Sequence, residues 1–137
     1  MPAKPFVLAV KAVIFDKQKR CLLIRRSSHN RNFVGCWEWP GGKVDAGEDF
    51  AIAVAREVRE ETALEIEITG VAGATQFEVP KVNVVLLCME ARVTGGQFQL
   101  SVEHDETAWV SLDDLPQRTL AEPVREFMLE YAGKKGL

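Results

Sequence analysis

The stretch that decides the fold runs from Gly42 to Leu64, GKVDAGEDFAIAVAREVREETAL. Its second half has helical periodicity. Phe50, Val54 and Val58 recur at i, i+4 and i+8, with Ala51 and Ala55 widening the apolar stripe, so a helix is expected over Asp49 to Thr62. Glu57, Glu60 and Glu61 stand at i, i+3 and i+4 on that helix, close enough to repel one another. At about 100° per residue, Glu57 and Glu61 fall beside the apolar stripe, whereas solvated charge normally occupies the opposite face. Crowded carboxylates at the edge of a buried face suit a hard cation such as magnesium or manganese. A solvent-facing acidic helix end, paired with Arg56 and Arg59, is the plainer alternative.

The loop before the helix favours the cation. Pro40-Gly41-Gly42-Lys43 reads as a turn that brings bare backbone up to a metal or phosphate. Glu48, at the helix N-terminus, either complements the helix dipole or reaches Arg56 and steadies the metal-binding acids.

Outward from this segment, strands dominate. Phe6 to Phe15 and Cys21 to Arg26 read as a hairpin around the polar turn Asp16 to Arg20. Ser27 to Gly35 reads as a loop and Trp37 to Trp39 as a short extended piece. Leu64 to Phe77 reads as one or two strands broken at Gly70 or Gly73, Lys81 to Thr94 as a central strand, and Ala108 to Ser111 as a last short one. A closing helix is expected over Leu120 to Tyr131, with Val124, Phe127 and Met128 or Tyr131 inward. With no repeat or linker, residues 1–137 read as a single α/β (α+β) domain, a mixed sheet packed between helices.

The 137 residues suffice for a core without disulfides, and 47% hydrophobic with 27% charged residues is ordinary for a globular protein. A net charge of −3 argues against a protein that coats a nucleic-acid polymer. Cys21, Cys36 and Cys88 are odd in number and widely spaced, so reduced thiols are expected. The apolar run Phe6 to Val10 is short for a signal peptide, and no stretch reaches membrane-spanning length. These features give the expectation of a cytoplasmic protein, with oligomeric state, monomer or homodimer, left open.

The segment resembles the box of the Nudix hydrolases: Gly42, Glu48, Arg56, Glu57, Val58, Glu60, Glu61 and Leu64 all match, and Ala63 alone stands where the family usually has glycine. Five fixed charges agree by chance with a probability on the order of one in a million per window. The resemblance implies an α/β/α sandwich with a mixed central sheet. It implies metal binding by Glu57 and Glu61, with Glu60 as a more variable ligand and the Gly41 carbonyl as a backbone ligand. Arg56 and Glu48 would orient them. The implied cofactor is Mg2+ or Mn2+, which would neutralise diphosphate oxygens and activate the water that attacks phosphorus. A carboxylate must take the proton. The family keeps that base in the box or on a later loop, where the candidates here are Glu103 and Glu106. His104 reads as a loop histidine. Ala63, at the helix exit, would make a left-handed turn costlier by about 1 kcal/mol without disabling the site.

The implied partner is a small-molecule nucleotide in which a nucleoside diphosphate is linked to another group. GCWEWPGGKVDAGE is most similar to the MutT-like nucleoside triphosphate pyrophosphatases. There Lys43 and Arg25 or Arg26 would meet phosphates, and Trp37, Phe33 or Phe77 would stack on a base. Pro80, sixteen residues beyond the box, resembles a feature of the ADP-ribose hydrolases, and the spacing from Leu22 to Gly42 is similar to the coenzyme A branch. A non-catalytic nucleotide-binding regulator is the alternative of another class. Such members commonly lose box glutamates, which are all present here.

Overall fold

The computed structural model describes residues 3–135. β1 (Phe6–Phe15) and β2 (Arg20–Arg26) form the expected hairpin, but the two strands pair only near its turn, at Phe15 and Cys21. Beyond that point they part. β3 (Trp37–Glu38) pairs with β2, and β4 (Gly41–Lys43) lies against Ala9, Val10 and Lys11 of β1. The expected turn at Pro40-Gly41-Gly42 is therefore corrected: Gly41 and Gly42 are strand residues. Gly41 has φ 151°, and a Cβ there would meet the Val10 carbonyl oxygen at 2.0 Å. Glycine serves here to let two backbones touch, not to reverse the chain.

α1 (Phe50–Thr62) follows, then β5 (Leu64–Glu78) and β6 (Asn83–Gly96), which form a long antiparallel pair. β5 is one strand. The register shifts beside Gly70 and Gly73 instead of breaking, as bulges do. β6 runs parallel to β1 from Phe6–Asn83 to Phe15–Arg92, giving the mixed sheet order β3-β2-β1-β6-β5. β7 (His104–Ser111) adds to β2, a 3-10 helix covers Leu112–Gln117, and α2 (Glu122–Lys135) closes the described chain. β7 starts four residues earlier than expected, and α2 is shifted towards the C-terminus.

Alternation along β1 divides the core. Val10, Ala12 and Ile14 pack with Leu22, Ala53, Val54 and Val58 on the α1 side. Val13 packs with Leu86, Met128 and Tyr131 on the α2 side. Two faces of one sheet, each covered by a helix, give the α/β/α sandwich. One expectation fails on α1: Phe50 is 42% exposed. The buried positions are Ala53, Val54, Val58, Glu61 and Thr62, so the first turn overhangs the sheet and the inward face includes a glutamate. Ala63 takes the left-handed conformation at the helix exit, φ 61°, its N–H bonded to the Arg59 carbonyl.

Candidate active site

The inward rotation of α1 puts Glu61 beneath β4. Glu61 is 6% exposed, and its carboxylate accepts a hydrogen bond from the Gly41 N–H at 2.8 Å. Burial pushes the Glu61 carboxyl up to about 8, although the Lys11 ammonium and the Gly41 N–H favour the charged form. Glu57, one turn earlier, lies against Gly42, where a Cβ would come within 2.5 Å of its carboxylate. Burial raises its pKa as well.

Arg56 gathers the remaining acids. Its Nε donates to Glu48 at 2.8 Å and its Nη1 to Glu57 at 3.0 Å and Glu60 at 3.1 Å. Its Nη2 reaches the Lys43 carbonyl and Glu48. These charge-assisted bonds hold the Glu48 carboxyl down at about 2. Glu48 thus ties to Arg56 and does not merely cap the helix. Glu60 is the most exposed of the three box acids on α1.

The residues present fit a hard divalent cation. Glu61 holds one backbone N–H in a site that disfavours its charge, a cost that a cation reverses. The missing side chain at Gly42 leaves the cradle in which the Glu57 carboxylate rests. Both groups offer oxygen donors, as magnesium or manganese requires.

A cavity of about 310 Å³ lies beside this cluster, on the α2 side of the sheet. Lys43, Arg26 and Phe33 border it together with Phe77, Val84 and Met128. Four of the six expected substrate contacts therefore meet at one cavity. The other two lie elsewhere. Trp37 is buried, with the guanidinium groups of Arg25 and Arg118 at 5.8 and 4.7 Å from its ring centre. Arg25 is bound to Asp105 and Glu106, each at 2.8 Å. That pairing holds Glu106 at the β2–β7 surface. The Glu103 carbonyl anchors Ser27 and Asn30, and its side chain is exposed. Neither glutamate lines the cavity or bonds to a box acid.

Three residues outside the expected set complete the cavity's polar end. Glu38 and Lys11 line it, and His104 lies buried behind Glu38 on β7, not in a loop. The Glu38 carboxylate takes His104 Nε2 at 2.7 Å, Arg26 Nη1 at 3.3 Å and Lys11 Nζ at 3.3 Å. Burial would raise the Glu38 pKa, but Lys11, His104 and Arg26 bring it down to about 2. For Lys11, burial alone would lower the pKa; the fields of Glu38 and Glu61 outweigh it and raise it. Oxygens of Glu38 and Glu61 and a nitrogen of His104 lie within 4.8 Å of one another, so this network adjoins the box. A lysine at one position of the otherwise apolar strand FVLAVKAVIF was the available signal.

Comparison with known proteins agrees with this architecture. The NUDIX domain model matches residues 5–131. An ADP-ribose pyrophosphatase of Methanocaldococcus jannaschii is 32% identical over 106 residues, which cover 76% of this chain and 62% of that protein. The chain thus spans less than two thirds of that relative's length. A CTP pyrophosphohydrolase of Escherichia coli is 30% identical, with 84% of each chain covered. Among solved structures, the MutT protein of Methanosarcina mazei superposes with a TM-score of 0.88 at 33% identity, covering both chains fully. With the box acids, the sandwich and the domain match in agreement, the chain belongs to the Nudix family.

Proposed function

We propose that this protein is a divalent-cation-dependent pyrophosphohydrolase that splits a nucleoside diphosphate linked to another group, with nucleoside triphosphates as the first substrate class. The observation that carries this reading is the box cluster of Glu57, Glu61 and Arg56 standing next to a mostly apolar cavity with a charged end, to which it is joined through Glu38 and Lys43. Glu57 and Glu61 would hold Mg2+ or Mn2+, with Glu60 and the Gly41 carbonyl as further ligands. When bound, the cation supplies charge neutralisation at the diphosphate and a more acidic water.

The chain's own residues do the rest. Arg56, itself oriented by Glu48, fixes Glu57 and Glu60. Lys43 and Arg26 draw phosphate oxygens to the cavity mouth. Phe77 and Phe33 offer faces to a base. The proton of the attacking water passes to a carboxylate. Glu60 and Glu57 are favoured over Glu103 and Glu106, because they share the Arg56 network of the box whereas Glu106 is paired with Arg25 on the β2–β7 surface and the Glu103 side chain is exposed.

The full-length likeness to the MutT protein of M. mazei and the even coverage of the CTP pyrophosphohydrolase support triphosphates. The M. jannaschii relative, with Pro80 between β5 and β6, supports ADP-ribose as the second reading. One screen separates them. Nucleoside triphosphates, ADP-ribose, dinucleoside polyphosphates and coenzyme A are incubated with magnesium or manganese. Release of pyrophosphate and nucleoside monophosphate supports the first reading; AMP plus ribose phosphate as the main products overturns it.

A further inference from the structure

Lys11 has no part in the box, yet it occupies the junction between the box and the cavity. It sits mid-strand in β1, flanked by β6 through Cys88 and by β4 through Gly41. Its neighbours Val10 and Ala12 are fully buried, so its backbone cannot shift without disturbing the core. Its side chain is 18% exposed, and that exposure opens into the cavity.

Desolvating an ammonium is costly and calls for a partner. Neutralising Glu38 does not account for Lys11, because Glu38 already holds Arg26 and His104. Among the described residues, Glu38 is the one ion-pair partner of Lys11. An ammonium carries three N–H donors. Glu38 is one partner, and since Lys11 lines the cavity its remaining donors can serve an occupant there.

Their location sets the chemistry of that occupant. On one side lie Glu61 and the other box acids; on the other lie Trp39, Phe77, Leu86 and Met128. A nucleotide with the diphosphate bond to be split at the acids and its base in the apolar part brings the sugar-linked phosphate, one partner of that bond, to the junction. Lys11 and Arg26 set two cationic donors beside Glu38 at that junction, the donor type that suits a phosphate oxygen.

On the reading under Proposed function, we propose that Lys11, braced by Glu38, is a substrate-binding residue that donates to the phosphate nearest the sugar. Calorimetric titration with AMP, CMP and GMP, and with their parent nucleosides, in magnesium buffer tests this without turnover. Lys11→Met is expected to weaken monophosphate binding about tenfold and to leave nucleoside binding unchanged, with Lys11→Arg between. Equal weakening of nucleoside and monophosphate would overturn the inference and assign Lys11 to the base or sugar. Unchanged binding of both would overturn it too. If Lys11→Met fails to fold, Lys11→Met with Glu38→Gln removes both charges, and the same monophosphate-against-nucleoside contrast is compared with Glu38→Gln alone. A wild-type protein that binds none of the six compounds would overturn the nucleotide reading itself, and this inference with it.

Discussion

The carboxylate of Glu57 fills the space that a side chain on Gly42 would need, 2.5 Å from the position of its absent Cβ. Gly42 carries no positive φ, so this relationship is steric and not one of backbone strain. Gly42→Ala is expected to push Glu57 out of place while the protein stays folded. Metal-dependent turnover should fall roughly 10- to 100-fold, the size of effect seen when the supports of metal ligands are disturbed. Steady-state kinetics across a magnesium titration, beside a thermal melt, measures both halves of the prediction.

Arg56 holds Glu48 through Nε and Nη2 and both Glu57 and Glu60 through Nη1 of one planar fork. Lysine keeps the charge but cannot reach three carboxylates in fixed directions. Arg56→Lys should therefore lose about as much activity as Gly42→Ala, with a higher magnesium requirement. Wild-type magnesium dependence in the lysine variant would reduce Arg56 to a general counter-charge.

Ala63 stands in a left-handed conformation, φ 61°, that costs a residue with a Cβ about 1 kcal/mol. Ala63→Gly should relieve part of this strain, offset in part by the greater freedom of glycine in the unfolded chain. A melting temperature higher by about 3 °C is expected, with unchanged kinetics, because Ala63 makes no contact with the cavity. A lower melting temperature would show that the helix exit is not strained.

Glu38 supplies the pH dependence. Its folded-state pKa of about 2 lies below the ordinary value of 4.5, so its ion pairs stabilise the fold fully above about pH 4.5. That stabilisation disappears as the pH falls towards 2. In urea titrations, wild type should exceed Glu38→Gln in stability at pH 6, and the difference should shrink steadily between pH 4.5 and 2. Glu48 titrates over the same range, which is why the variant difference, and not the raw wild-type curve, is the quantity to follow. A pH-independent difference would mean that Glu38 is not held by Lys11, Arg26 and His104.

Local spacing made the box legible. Glu57, Glu60 and Glu61 sit within two turns of one helix, and their bonds to Arg56 and Gly41 involve near neighbours or the strand just before the helix. The α2 residues Met128 and Tyr131 were legible for the same reason, since one helical period sets their direction. Phe50 was misread because periodicity gives the orientation of a helix face but not how far the sheet beneath it extends. Gly41 and Gly42 were misread because a turn and a close strand approach both require glycine, and only the partner backbone of Val10 distinguishes them. Lys11, Glu38 and His104 come from three strands far apart in the chain, so no spacing rule connects them. Trp37 is a base-stacking candidate by residue type alone, but in the fold Arg25 and Arg118 lie against its ring.

On the proposed reading, buried carboxylates on α1 hold the catalytic cation, and Glu61 is the most buried of them. The most direct test of that reading is pyrophosphate release from nucleoside triphosphates by Glu61→Gln across a magnesium and manganese titration, with folding checked in parallel. A folded variant is expected, with turnover at least roughly 100-fold lower and not restored by excess metal. A folded Glu61→Gln protein with wild-type turnover and wild-type metal dependence would contradict that reading.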